Sequence, residues 1–220
     1  MMRERLRTAI LISGRGSNMG ALIEAARRPD YPAEIALVLS NDPAASGLEA
    51  AKAAGIAVAA VDHRIHAHRE DFERSMDRLL EIHRIQFLCL AGFMRLLTPW
   101  FVARWHGRLI NIHPALLPAY KGLRTHERAL ADGVKIHGCT VHYVVPAVDD
   151  GPIVAQAAVP VLDGDTPQTL GRRVLTQEHR IYPLALRLIA SGAAVMADGV
   201  VRIAAADQEG SRALIQPLDS

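Results

Sequence analysis

Asn111 and His113 stand two residues apart in G-R-L-I-N-I-H-P, residues 107–114, where the apolar run of Leu109, Ile110 and Ile112 stops at Pro114. Alternate residues of a strand leave the same face, so this spacing predicts two polar side chains side by side at a strand end. An imidazole titrates near neutral pH, and a carboxamide donates a hydrogen bond without changing charge. Together they supply a general acid or base and a donor for an oxyanion. The same residue types also bind loop backbone at strand ends, so the chemical role needs further partners. One partner is offered by V-P-A-V-D-D-G-P, residues 145–152, where Asp149 and Asp150 precede Gly151. A carboxylate returning from this turn to His113 is expected to favour the imidazolium and raise its pKa, giving an acid for a leaving amine. An ordinary turn would use the two aspartates equally well.

Two further stretches have the residue types of ligand loops. G-R-G-S-N at 14–18 follows the apolar run T-A-I-L-I-S and precedes Met19, Leu22, Ile23 and Ala26 at helical spacing. Strand, glycine turn and helix make a phosphate-binding arrangement: Gly14 and Gly16 permit close approach, while Ser17 and Asn18 are expected to cap the helix and add donors. The spacing is not that of a dinucleotide fingerprint, so a lone phosphate or a plain capped turn is expected. In L-A-G-F-M-R-L-L at 90–97, Met94, Leu96 and Leu97 beside Arg95 would line a slot for a flat heteroaromatic ligand bearing a carboxylate, or pack under the next helix, 98–105. His63, His66 and His68 lack a Cys or carboxylate at metal-ligand spacing, so no metal site is expected there, and Arg69 reads as solvated.

The elements that must position these residues alternate. Strands are predicted at 8–13, 34–40, 56–61, 86–92 and 109–113, with helices near 19–28, 47–55, 66–84 and 98–105 between them. Such alternation predicts an α/β fold with a mostly parallel twisted sheet and helices on both faces. Ligands of such sheets sit outside the carboxyl ends of the strands, where Gly92 to Leu97 and Asn111 to Pro114 would share one cleft. Further on, a short capped helix is expected at 125–133, strands at 137–144 and 153–162, and a long capped helix at 167–191 kinked at Pro183. A hairpin turning at Asp198-Gly199 and a loosely held tail complete a single domain over 1–220, with its core at 8–191.

Composition narrows the classes. Of the 220 residues, 50% are hydrophobic, ample for a core; a net charge of +2 and 5% aromatics give no stripe for nucleic acid. Cys89 and Cys139 lie in apolar runs, as buried thiols of a reducing compartment do. With no signal sequence and no span of membrane length, a cytoplasmic protein is expected.

The motifs G-R-G-S-N (14–18), L-A-G-F-M-R-L-L (90–97), N-I-H-P-A-L-L-P-A-Y-K-G (111–122), H-G-C-T-V-H (137–142), D-D-G-P-I (149–153) and Q-E-H-R-I-Y-P (177–183) occur in the order of one family. The chain closely resembles the folate-dependent phosphoribosylglycinamide formyltransferases over about residues 8–191. That resemblance implies a Rossmann-like formyltransferase fold and transfer of a formyl group from 10-formyltetrahydrofolate, the cosubstrate, to glycinamide ribonucleotide. It implies no metal, no nucleic acid or membrane partner, and a monomer or homodimer.

By the same resemblance, Asn111, His113 and Asp149 match the catalytic trio, with His113 the general acid, Asp149 raising its pKa and Asn111 holding the formyl oxygen. Gly16, Ser17 and Asn18 match the ribonucleotide phosphate loop, with Gly92 and Pro114 beside the same substrate, and Glu178 matches a contact to its glycinamide end. Met94, Arg95, Leu96 and Leu97, with Val145, Pro146, Ala147 and Val148, match the pterin slot, and Arg69 a folate contact. Arg15, Lys121 and Leu175 depart from residues frequent in the family, at finer ribonucleotide contacts. Rival expectations are a formyl-folate hydrolase, which usually adds a preceding regulatory domain; a transfer-RNA formyltransferase, which adds a C-terminal one; and a nucleotide-binding regulatory module.

Overall fold

The computed structural model describes residues 4–204. Its main sheet has the strand order β3-β2-β1-β4-β5-β6-β7, formed by β1 (Leu6–Ile12), β2 (Ala33–Ser40), β3 (Val58–Ala60), β4 (Phe87–Leu90), β5 (Leu109–His113), β6 (Ile136–Tyr143) and β7 (Ile153–Pro160). Pairing is parallel from β3 to β5 and antiparallel from β5 through β7. The predicted class is therefore observed, with the antiparallel pairs confined to one side.

Both faces of the central strands are buried. Ala9 and Leu11 of β1 pack with Phe72, Met76 and Leu80 of α3 (Arg69–Ile82), Phe101 of α4 (Pro99–Arg104) and Trp105 just after it. Ile10 and Ile12 face the opposite way, toward α1 (Ser17–Ala26), α2 (Ser46–Ala53) and α6 (Pro167–Ser191). Continuous apolar runs are what strands covered on both faces require. The remaining helix, α5 (Thr125–Ala131), lies in the connection from β5 to β6. Strands β8 (Ala194–Ala197) and β9 (Val200–Ile203) form a separate hairpin whose turn residues Asp198 and Gly199 have φ of 52° and 74°, as the predicted tight turn demands.

Several local expectations change. The N-cap of α1 is Gly16, in the left-handed region at φ 69° and with no side-chain cap, so Ser17 and Asn18 sit inside the first turn instead of capping it. Helix α5 also lacks a side-chain cap: its N-cap is Arg124 at φ 57°, and the Thr125 hydroxyl, inside the first turn, donates to the Pro114 carbonyl at 2.8 Å. Helix α3 starts at Arg69, after a separate 3-10 turn over His63–Ile65. At α6 the expected cap is present, a reciprocal pair between Thr166 and Thr169, and the helix runs on through Pro183 to Ser191. The tail expected to be loosely held falls outside the described residues beyond 204.

The long helix is tied to the middle of the sheet by Tyr182. Its ring is fully buried, and its hydroxyl lies 2.8 Å from the Leu90 carbonyl and 3.3 Å from that of Ile110, on the two adjacent strands β4 and β5. Tyr182→Phe keeps the ring and removes the donor, and is expected to cost about 1–3 kcal/mol of unfolding free energy in a urea titration. A midpoint equal to that of the wild type would show the hydroxyl to be dispensable.

Candidate active site

Strand β5 contributes Leu109, Asn111 and His113 to one face and Ile110 and Ile112 to the other. On β6 the register sets His142 opposite Asn111 and Thr140 opposite His113. Directly opposed residues share a face, so four polar side chains meet there on the face that α3 and α4 cover elsewhere. The Thr140 hydroxyl donates to the Ala115 carbonyl at 2.7 Å and accepts the Leu117 N–H at 3.0 Å, bracing the chain that leaves β5.

Asp149 returns to this face from the β6–β7 turn, as expected for a carboxylate from that segment. It occupies the left-handed region at φ 50°, and its Oδ2 lies 3.3 Å from His113 Nδ1 while accepting the Gly122 N–H at 2.8 Å. Asp150 instead pairs with Lys121. Gly151 is obligatory: a Cβ there would lie 1.8 Å from the Tyr143 carbonyl oxygen, so the turn closes against backbone that cannot yield.

The electrostatics correct one expectation. His113 Nε2 is 2.9 Å from the Tyr120 carbonyl, so both ring nitrogens face acceptor oxygens, which only the imidazolium satisfies. Yet burial pushes the His113 pKa below its ordinary value, outweighing the upward pull of the Tyr120 carbonyl and Asp149. The expected rise is therefore not the net direction; the depth of the site prevails over its carboxylate. Burial likewise pushes Asp149 upward, but hydrogen bonds from His142 and Gly122 and the two nearby imidazoles hold it below the usual carboxylate range.

His142 carries no expected role of its own from the sequence, yet it is central to the geometry. Its Nδ1 donates to the Tyr143 carbonyl at 2.9 Å; its Nε2 is 3.4 Å from Asn111 Nδ2 and 3.6 Å from Asp149 Oδ1. Nδ1 is thus committed to the backbone, and Nε2 sits against both the Asn111 amide and the Asp149 carboxylate, which positions the amide. The H-G-C-T-V-H alternation was the available signal; the partner 31 residues earlier was not.

A groove opens beside Asn111. It encloses about 590 Å³ including its open mouth and is lined by Leu90, Phe93, Arg95, Leu96, Leu97 and Val102 on one side, and by Asn111, His142, Val144, Val145, Pro146, Ala147, Val148 and Asp149 on the other. The apolar slot with one cation at its edge thus meets the polar trio. Met94 departs from expectation: it is 72% exposed and borders a second cavity instead. Arg69 is exposed at the start of α3 and lines neither cavity, as is true of half-buried Pro114.

The second cavity is bounded by Ser13, Gly14, Arg15, Gly16, Ser17 and Asn18, with Ala91, Gly92 and Met94 across it. It lies between the ends of β1 and β4, where the strand order reverses and ligands of such sheets bind. Glu178 of α6 comes to this loop: its Oε2 accepts the Asn18 amide at 2.6 Å, while Asn18 Oδ1 is buried without a partner. Burial raises the Glu178 pKa against that hydrogen bond. Ser13, another residue without a sequence expectation, ties together the two loops that bound this second cavity. Its N–H donates to the Gly92 carbonyl at 3.2 Å, and its hydroxyl accepts the Met94 N–H at 2.8 Å while donating to Asn41 at 2.5 Å.

A profile of the formyl transferase family matches residues 6–186. The chain is 44% identical to the phosphoribosylglycinamide formyltransferase of Escherichia coli over 183 residues, 83% of this chain and 86% of that protein. The chain belongs to the phosphoribosylglycinamide formyltransferase family. It is also 48% identical over 190 residues, 86% of its length, to the human trifunctional purine biosynthetic protein adenosine-3, but spans only 19% of that protein. Among solved structures, the family member from Brucella melitensis matches with a TM-score of 0.83 and 52% identity, covering 88% of this chain and all of that one. Glycinamide ribonucleotide transformylase 1 from Symbiobacterium toebii matches with a TM-score of 0.88 and 44% identity over 90% of this chain and 94% of that one. A formyltetrahydrofolate deformylase from Pseudomonas syringae shares the fold at 24% identity and a TM-score of 0.82.

Of the positions departing from frequent family residues, Arg15 borders the second cavity, Lys121 makes the ion pair to Asp150, and Leu175 is half-buried on α6. Among the described residues, no group of three or more His, Cys, Asp or Glu side chains is placed to hold a metal ion, and no helix is long and apolar enough to cross a membrane.

Behind the trio, His126 Nδ1 and His137 Nε2 lie 3.2 Å apart. Burial, then the neighbouring His126, pushes the His137 pKa from its ordinary 6.5 to about 4. Between those values the folded chain binds fewer protons here than the unfolded chain, so this contribution to stability is present at neutral pH and lost as pH falls through the window. Thermal melts of wild type and His137→Asn should therefore differ most at pH 7 and converge toward pH 4.5. A constant gap would mean that His137 is not held neutral.

Proposed function

We propose that this chain transfers the formyl group of 10-formyltetrahydrofolate to the amine of glycinamide ribonucleotide, giving formylglycinamide ribonucleotide and tetrahydrofolate in de novo purine biosynthesis. The observation that carries this is the meeting of Asn111, His113 and Asp149 at the mouth of an apolar slot, next to a glycine-rich cavity at the reversal of strand order. The slot accepts the pterin through Leu96, Leu97 and the Val145–Val148 segment, with Arg95 at its edge, and Arg69 meets the folate beyond the slot. The Gly16–Asn18 loop takes the ribonucleotide phosphate through backbone N–H groups at the start of α1. Glu178, held by Asn18, faces the same substrate.

The amine nitrogen attacks the formyl carbon, a C–N bond forms, and the carbonyl oxygen gains charge. Asn111, oriented by His142, donates to that oxygen. The new ammonium gives a proton to Nε2 of His113, whose Nδ1–H donates to Asp149; Nε2 exchanges the Tyr120 carbonyl for the substrate to do this. Asp149 stabilises the imidazolium, which then protonates N10 of the folate as the old C–N bond breaks. The protons balance within the site. The substrates are small molecules, and we place the enzyme in the cytoplasm as a monomer or homodimer formed from one domain.

Spectrophotometric loss of 10-formyltetrahydrofolate should require glycinamide ribonucleotide. Loss at the same rate without it would mean a hydrolase. His113→Ala and Asp149→Asn are expected to lower kcat by about 100-fold or more, and Asn111→Ala by a similar factor, with unchanged circular dichroism. Wild-type turnover in purified His113→Ala would remove the mechanism.

A further inference from the structure

Glu73 sits one turn into α3, is fully buried and borders neither cavity. Both carboxylate oxygens are committed to one residue: Oε1 accepts the Thr98 N–H at 2.7 Å and Oε2 accepts the Thr98 hydroxyl. Thr98 is itself the N-cap of α4, its hydroxyl oxygen accepting the Phe101 N–H at 3.3 Å. Burial pushes the Glu73 pKa up, against the pull of these bonds and of Arg69 one turn earlier. A buried carboxylate is expensive, and an apolar side chain would pack beside Phe72 and Met76 at less cost. What the carboxylate provides is a fixed place for Thr98.

Thr98 closes the segment that begins at Gly92, and Arg95, Leu96 and Leu97 of that segment form one wall of the slot. The segment has no helix or strand of its own. Its first end is fixed by Ser13, through the Gly92 carbonyl and the Met94 N–H. Its other end is fixed by Glu73. Within the segment Phe93 is buried in the core and Leu97 packs against that core, but Leu96 is 61% exposed, so the lip of the wall depends on how the two ends of the segment are held.

We propose that Glu73 is a positioning residue for the folate: by fixing Thr98 it sets the wall of the pterin slot without touching either substrate. The inference rests on the slot being the folate site. It assigns to α3 a second contribution to folate binding, made from within the protein, besides that of Arg69 at the helix start.

Glu73→Gln keeps the volume but offers a single acceptor to two donors. It should raise the KM for 10-formyltetrahydrofolate about tenfold, and raise the Kd for tetrahydrofolate in calorimetry equally. The KM for the ribonucleotide and kcat at saturating folate should stay within about twofold of wild type. Thr98→Ser retains both donors and should bind folate as wild type does. Should Glu73→Gln melt below the assay temperature, Thr98→Val, which replaces only the hydroxyl by a methyl group, carries the same expectation with a smaller shift. Equal loss for both substrates, a fall in kcat at unchanged folate affinity, or unchanged folate affinity would overturn the role of Glu73. Wild-type protein that binds no tetrahydrofolate would instead overturn the assignment of the slot.

Discussion

The site depends on the antiparallel pairing of β5 with β6. Had the parallel pattern continued past β5, the next strand would have run the other way and brought a different end to this edge. The reversal sets His142 directly across from Asn111 and lets the following turn fold straight back with Asp149. Two strands and one tight turn therefore bring Asn111, His142 and Asp149 to His113, and the β5–α5 connection adds the Tyr120 carbonyl and the Gly122 N–H. Tyr182 anchors the rear of the same strand to α6, so the polar cluster stands on the part of the fold buried from both sides.

Burial and charge oppose each other throughout this edge, and the outcome differs from group to group. Asp149 stays below its ordinary pKa because donors surround it, whereas Glu178, with one amide partner, and Glu73, with Thr98, are both raised. His113 is lowered even with a carboxylate 3.3 Å away. The anion beside it favours the imidazolium and desolvation opposes it, and desolvation sets the direction of the shift.

Much of this was legible in the residues themselves. Period-two placement of Asn111 and His113 before a proline, and a glycine turn between an apolar run and an amphipathic one, are local patterns, and local patterns survive folding. Asp149 followed from the same turn, although sequence could not separate it from Asp150. His142 was not legible because its meaning lies in register with a residue 31 positions away. Glu73 was hidden for another reason: an acidic residue in a charged helix reads as solvated, and only packing reveals that it faces inward. The direction of the His113 shift depends on depth, which spacing does not encode, and the same holds for which of Met94 to Leu97 faces the slot.

The turn that carries Asp149 also divides sharply between freedom and constraint. Val148 is 51% exposed on its outer side, and many side chains would fit there. Three residues later, Gly151 meets the Tyr143 carbonyl with no room for a methyl group. Tyr143 is bound in turn, its N–H donating to Pro152 at 2.9 Å and its carbonyl accepting from His142. Tolerance along this loop thus lies at one end: the lip of the slot has room for other side chains and other ring systems, while any side chain at the hinge would displace the turn that aims the carboxylate.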